Sequence, residues 1–186
     1  MRSVTFASSN DSKSREVEEI LAQYGIPVRI SKLQLTEIQS DSLEEIAKEK
    51  SRNAYSIVLS PVIVEDDGLF VDALGGFPGP YSSFVFKTIG NQGILRLLAG
   101  IENRSAHFHA VIAHFDGDEI SLYSGQVLGE ISDEISSGGW GYDPIFKPSG
   151  CDLTFGQLKE DKSKYSHRRK ALELFAQKML AQSADK

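Results

Sequence analysis

Three consecutive carboxylates, Glu65-Asp66-Asp67, directly follow the apolar burst Pro61-Val62-Ile63-Val64. A short apolar run of this kind reads as a buried strand, so the fold has to deliver three like charges at the end of a core element. Carboxylates this close repel one another and need a reason to stay together. A divalent cation is one, because Mg2+ takes a few carboxylates and keeps waters for phosphate ligands. A solvated acidic turn that closes the strand is the other. Side chains alternate faces along a strand, so Glu65 and Asp66 point the same way only if the strand breaks, and Gly68 offers a place for that.

The elements on either side alternate between strand and helix patterns. Val4-Thr5-Phe6-Ala7 reads as a first strand, followed by the polar stretch Ser8-Ser9-Asn10-Asp11-Ser12. Val17, Ile20, Leu21 and Tyr24 have helical spacing, ended by Gly25 and Pro27. Val28 to Leu35 alternates weakly as a second strand. Asp41-Ser42-Leu43-Glu44 has capping-box spacing before a helix with Leu43, Ile46, Ala47, Ala54, Ile57 and Val58 on one face. Gly75-Gly76-Phe77-Pro78-Gly79-Pro80 is too rich in Gly and Pro for regular structure. Helices are predicted from Tyr81 to Ile89 and from Gln92 to Ala99. His107 to Phe115 and Ile120 to Ile131 flank Asp116-Gly117, a hairpin signal. Ser136 to Pro144 is a glycine-rich loop. Ala171, Leu172, Leu174, Phe175, Met179 and Leu180 mark a final amphipathic helix. The pattern predicts an α/β fold with a mixed β-sheet and flanking helices, as one domain over 1–186.

Composition narrows the partners. The 186 residues carry 20 Lys plus Arg against 26 Asp plus Glu, a net charge of −6. An acidic balance argues against non-specific nucleic-acid binding, which needs a positive surface. No stretch approaches the roughly 18 apolar residues of a membrane span, and Met1-Arg2-Ser3-Val4 does not begin a signal peptide. The single cysteine, Cys151, excludes an internal disulfide and fits a reducing compartment. A cytoplasmic protein is expected.

Three further segments could carry chemistry. Ser8, Asn10 and Lys13 lie at the start of the first helix, where backbone N–H groups attract anions and a lysine adds charge. Plain capping by Asn10 or Ser12 is the competing reading. Ser166-His167-Arg168-Arg169, after Lys159, Lys162 and Lys164, forms a positive patch suited to phosphate or carbonyl oxygens, or to solvent. In Gly138-Gly139-Trp140-Gly141-Tyr142-Asp143-Pro144, Trp140 and Tyr142 offer flat faces on which a base can stack, and Asp143 can accept from a ring N–H. An aromatic plug for the core is the other reading. No Walker P-loop and no dinucleotide fingerprint are present. His107, His109 and His114 lack a ligand set beside them and read as core or sheet-surface residues.

Taken in order, these blocks resemble a known family. Ser9-Asn10-Asp11-Ser12-Lys13-Ser14-Arg15-Glu16 is similar to the N-terminal Thr-x-Asn-x-x-Lys-x-x-Glu signature of the inosine triphosphate pyrophosphatase family. The resemblance continues through Leu35-Thr36-Glu37-Ile38-Gln39, Glu65 to Leu74, Gly76 to Ser82, Gly139 to Phe146 and Ser166-His167-Arg168. It implies an elongated fold of two lobes around a nucleotide cleft, a homodimer, and Mg2+ as cofactor. It implies hydrolysis of the deaminated purine nucleotides ITP, dITP and XTP to the monophosphate and pyrophosphate. By the same resemblance, Glu37, Glu65 and Asp66 hold the metal, Asp66 activates the attacking water, and Lys13 contacts phosphates. Trp140 stacks on the base, and the substrate-binding set is completed by Ser8, Asn10, Tyr142, Asp143, Lys162, His167 and Arg168. Three departures from the family pattern stand out: Asp67 replaces Ser or Thr, Gln157 replaces Glu, and Asp161-Lys162-Ser163 replaces Glu-Lys-Asn. Two other readings are a related enzyme for modified pyrimidine triphosphates and a nucleotide-sensing module that releases no product.

Overall fold

The computed structural model of the protein describes residues 3–184. Its regular elements are β1 (Val4–Ala7), α1 (Asp11–Ala22), β2 (Val28–Ser31), α2 (Leu43–Val58), β3 (Val62–Val71), β4 (Pro78–Gly79), α3 (Ser82–Thr88) and α4 (Gly90–Leu97). These are followed by β5 (Ser105–Phe115), β6 (Ile120–Ile131), β7 (Phe146–Pro148), α5 (Phe155–Leu158) and α6 (His167–Ala184). The strands form one sheet in the order β2-β1-β3-β5-β6-β7, with β4 paired to β3. β1 is parallel to both β2 and β3, whereas β3–β4 and β6–β7 are antiparallel. The sheet is therefore mixed, as the order of strand and helix patterns predicts. Among the described residues no helix is long and apolar enough to cross a membrane.

The chain divides into two compact units. One takes the residues up to Asp66, then Ala110–Gly125 and the segment from Arg168 on; the other takes Asp67–His109 and Gln126–His167. Strands β3, β5 and β6 each pass from one unit into the other. Each unit has a core of its own. In the first, Val4 and Phe6 of β1 meet Val17, Ile20 and Leu21 of α1, with Ile63, Ile112, Leu172 and Phe175. In the second, Leu69, Ile94, Leu98, Phe108, Ile145, Phe146 and Phe155 pack together. The ring of Phe108 meets that of Phe146 edge-on at 4.8 Å.

The helix starts follow local chemistry. Asn10 caps α1 by accepting from the N–H groups of Ser12 and Lys13 at 3.0 and 3.2 Å. Ser42 caps α2 by accepting from Glu45 N–H at 3.2 Å. In α5, Thr154 and Gln157 close a reciprocal capping box. A Gln serves there as well as a Glu, because the box needs only a side-chain acceptor. At the β5–β6 turn, Asp116 Oδ1 accepts from both Asp118 and Glu119 N–H at 2.9 Å, which is the hairpin chemistry that Asp-Gly signals.

Several expectations are corrected. The second strand ends at Ser31 rather than Leu35. Ile57 and Leu174, expected on buried helix faces, are exposed. The strand does not break at Gly68; β3 continues to Val71. Gly68 is there for a different reason. A Cβ at this position would lie 2.3 Å from the carbonyl oxygen of Gly79, whose short strand β4 presses against β3. Backbone cannot yield as a side-chain tip can, so Gly68→Ala should lower stability by about 1–3 kcal/mol in a urea titration. A loss below about 0.5 kcal/mol, the range of ordinary surface substitutions, would show that β4 is free to move.

Candidate active site

Because β3 runs unbroken through its acidic run, alternation holds, and Glu65 and Asp66 leave the strand on opposite sides. Within the first unit each finds a different cation. Arg168, at the head of α6, donates from Nε and Nη2 to the two oxygens of Glu65 at 2.6 and 2.7 Å. Both side chains are 0% exposed. The remaining guanidinium nitrogen, Nη1, donates to Glu16 of α1. Lys13 Nζ, also from α1, stands 3.8 Å from Glu65. Glu65 is thus held by a planar fork that matches its two oxygens, a geometry only arginine supplies.

Asp66 turns to Lys50 of α2. The Lys50 ammonium donates to Asp66 Oδ1 at 3.0 Å and to the Glu65 carbonyl at 3.2 Å, and lies 2.8 Å from Glu37 Oε1. Burial pulls the Lys50 pKa down and Lys13 pulls the same way. The carboxylates of Asp66 and Glu37 outweigh both, so the net shift is upward. A lysine raised in the fold contributes stability that is fully present below its ordinary value of 10.5 and is lost only as pH climbs past the raised one. At neutral pH the ammonium is therefore a fixed part of the cluster. Lys50 does not figure in the sequence reading, yet the signal was available. It sits in the apolar stripe Leu43, Ile46, Ala47, Ala54 at the i+3 and i+4 spacing of buried positions, where an unpaired lysine is not tolerated.

The first unit therefore brings Lys13, Glu37, Glu65, Asp66 and Arg168 together, with Lys50 and Glu16 added. Among the described residues no group of three or more His, Cys, Asp or Glu is arranged to hold a metal by itself. Glu37 and Asp66 nonetheless bracket one cation position, that of the Lys50 ammonium. Hard oxygens at one or two carboxylates, with phosphate and water completing the shell, are what Mg2+ accepts. The donor chemistry of this pair fits the ion. Glu65 joins such a set only by releasing Arg168. Ser8 and Asn10 lie beside the cluster in sequence and serve the backbone: Ser8 Oγ accepts from Asn10 N–H at 3.1 Å, and Asn10 caps α1.

The second unit assembles the aromatic set. Asp143 Oδ2 accepts from Trp140 N–H at 3.0 Å and from Lys162 Nζ at 2.8 Å. Lys162 Nζ lies 5.1 Å from the centre of the Trp140 ring, in cation–π range. Gly139 is required beneath this turn: its φ is +70° and a Cβ would stand 2.5 Å from that of Asp143. The Tyr142 hydroxyl donates to Ser82 O at 2.9 Å, and burial pushes its pKa upward, so it remains a neutral donor. His167 stacks on Phe108 at 4.7 Å with its plane within 8°, and its Nε2 approaches Asp67 Oδ2 at 3.5 Å. Asp67, the departure from the family pattern, thus faces a histidine. Trp140, Tyr142, Asp143, Lys162 and His167 all belong to this one unit.

The fold is a mixed α/β sheet whose central strand feeds buried carboxylates to lysine and arginine. Comparison with known proteins places the chain more closely. It matches the model of the Ham1 family over residues 4–178 and belongs to that family. It is 51% identical over 94% of both chains to a dITP/XTP pyrophosphatase of Methanopyrus kandleri. It is 46% identical to a dITP/XTP pyrophosphatase of Thermococcus kodakarensis, over 93% of this chain and 95% of that one. A HAM1 protein structure from Coxiella burnetii superposes with a TM-score of 0.84 at 30% identity, covering 97% of this chain and 100% of that one.

The Glu65–Arg168 pair makes a direct prediction. Arg168→Met leaves buried Glu65 with only Lys13, at 3.8 Å, and should destabilise the protein by about 3–5 kcal/mol in urea unfolding. Adding Glu65→Leu should recover most of that loss. A double variant as unstable as the single one would show that the pair is not the source.

Proposed function

We propose that this chain hydrolyses deaminated purine nucleoside triphosphates, ITP, dITP and XTP, to the nucleoside monophosphate and pyrophosphate. The observation that carries the reading is the placement of Asp66: a buried carboxylate on the central strand, ion-paired to Lys50 in a cluster that also holds Lys13. An acceptor fixed beside ammonium groups is what activation of water against a polyphosphate requires. Relatives named dITP/XTP pyrophosphatase match along nearly the whole chain and support the same substrate class.

In this reading the triphosphate meets the cluster around Asp66. Asp66 takes the proton from the water that attacks between the α- and β-phosphates. Lys13 neutralises charge that develops on the leaving pyrophosphate. Glu37 and Asp66 would hold Mg2+, with Glu65 joining them only on releasing Arg168; the ion would polarise phosphoryl oxygens. Ser8 and Asn10 shape the turn that presents Lys13. Arg168 acts through Glu65, to which its guanidinium is committed. For the base, Trp140 stacks on it, Tyr142 supports the loop, and Asp143, Lys162 and His167 order the polar edge. Hypoxanthine and xanthine carry an oxygen at position 6 where adenine carries an amino group. Donors aimed at that oxygen are left unpaired by adenine, which makes rejection large. The reading includes a homodimer working in the cytoplasm on free nucleotides, not on nucleic acid or at a membrane.

Two measurements test it. In a phosphate-release screen with and without added inorganic pyrophosphatase, ITP, dITP and XTP with Mg2+ should yield pyrophosphate, at a kcat/KM at least about 100-fold above ATP. Chelation should abolish turnover and Mg2+ restore it. Equal rates on ITP and ATP, a preference for modified pyrimidine triphosphates, or binding without product would each overturn the substrate assignment. For Asp66→Asn, kcat should fall by about 100- to 10,000-fold while KM for ITP stays within about threefold. Nearly intact turnover would remove Asp66 as the base.

A further inference from the structure

One long-range side-chain bond reaches the aromatic loop from α4. Asn91 Nδ2 donates to the carbonyl oxygen of Gly141 at 3.1 Å, across fifty residues of sequence. Gly141 sits between the two aromatic residues of the loop, has φ of +60°, and would have open space around a Cβ. No side chain of its own fixes that peptide, so the amide of Asn91 sets where its carbonyl points. On the far side of Gly141, the Tyr142 hydroxyl is bonded to Ser82 of α3. The stretch Trp140-Gly141-Tyr142 is thus tied to α4 by its carbonyl and to α3 by its phenol.

The other end of the Asn91 amide is the informative part. Its Oδ1 is buried and meets no donor among the described residues. A buried acceptor left unmet is unfavourable by about as much as the single bond made by Nδ2 is favourable. An apolar residue of similar shape would therefore serve the stability of the unit at least as well. What only the amide does is hold the Gly141 carbonyl.

We propose that Asn91 is a positioning residue for nucleobase recognition: through the Gly141 carbonyl it fixes the loop that presents the Trp140 ring. The inference rests on the reading above, in which Trp140 stacks on the base, and it assigns Asn91 no contact with substrate.

The test uses the full chain and exploits its single tryptophan, whose emission reports on Trp140 alone. Asn91→Leu removes the donor and keeps the bulk; Asn91→Ala serves if the leucine is too large for the site. In both, KM for ITP should rise about five- to tenfold, the effect of one neutral hydrogen bond, with kcat within about twofold. Half-saturation for quenching of Trp140 emission by IMP should shift by the same factor. The melting temperature of Asn91→Leu should stay level or rise, which a merely structural role would not allow. Unchanged KM and unchanged quenching in both variants overturn the proposal. So does a melting temperature that falls in step with rising KM. If IMP fails to quench Trp140 in the unsubstituted protein, the stacking reading itself falls and takes this inference with it, and that outcome is seen before any variant is made.

Discussion

A carboxylate with no exposed surface needs a cation that reaches both of its oxygens, and the pairing of Glu65 with Arg168 meets that need. The first unit is arranged around it. Arg168 comes from the head of the last helix, Glu65 from the central strand, and Glu16 from the first helix, so one guanidinium ties three distant segments. A buried pair of this kind is seldom kept for stability, since well-packed apolar residues do as well or better. Its value lies in position. With Glu65 immobile, Lys13 has a fixed neighbour at 3.8 Å, and the next residue along the strand, Asp66, is presented to Lys50.

The second unit uses the same economy on a smaller scale. A single oxygen of Asp143 receives both the main chain of Trp140 and the ammonium of Lys162. That ammonium also lies 5.6 Å from the centre of the Phe155 ring, so the cation sits among apolar faces with its charge met by Asp143. Removing water from such a pair strengthens it, and the loop gains a defined shape without regular secondary structure. Glycine at position 139 is the geometric condition for this, because any side chain there would collide with Asp143.

The strand and helix order was legible because it rests on local periodicity. The first strand, the long helices and the Asp116-Gly117 hairpin all appear where the pattern puts them. Strands β4 and β7 were not legible: they are two and three residues long and include Pro78 and Pro148, which local patterning assigns to turns. Gly68 misled for a physical reason. Glycine weakens a strand and also permits close approach, and which role applies depends on a carbonyl eleven residues later. The candidate site divides in the same way. Charged residues stood out singly, whereas their partners did not, since Arg168 lies 103 positions from Glu65. Lys50 was hidden by its own helix, where a lysine among apolar positions is easily read as an interruption. Asp67 and Gln157, which depart from the family pattern, each have a structural use, one facing His167 and the other capping α5.

Charge balance decides what this cluster can bind. Glu16, Glu37, Glu65 and Asp66 face Lys13, Lys50 and Arg168, so the carboxylates outnumber the cations by one in a chain that is already acidic. A triphosphate brings about four more negative charges, and at an effective dielectric of about 20 each unpaired contact near 4 Å opposes binding by several kcal/mol. The resident cations answer only part of that charge, because each also faces a carboxylate within the unit. In the proposed reaction a cation that enters with the substrate would answer the rest, which makes metal dependence a consequence of the cluster's own composition. Glu37 and Asp66 converge on one cation position, and in the proposed reaction positive charge held there would offset the carboxylates beside the phosphates.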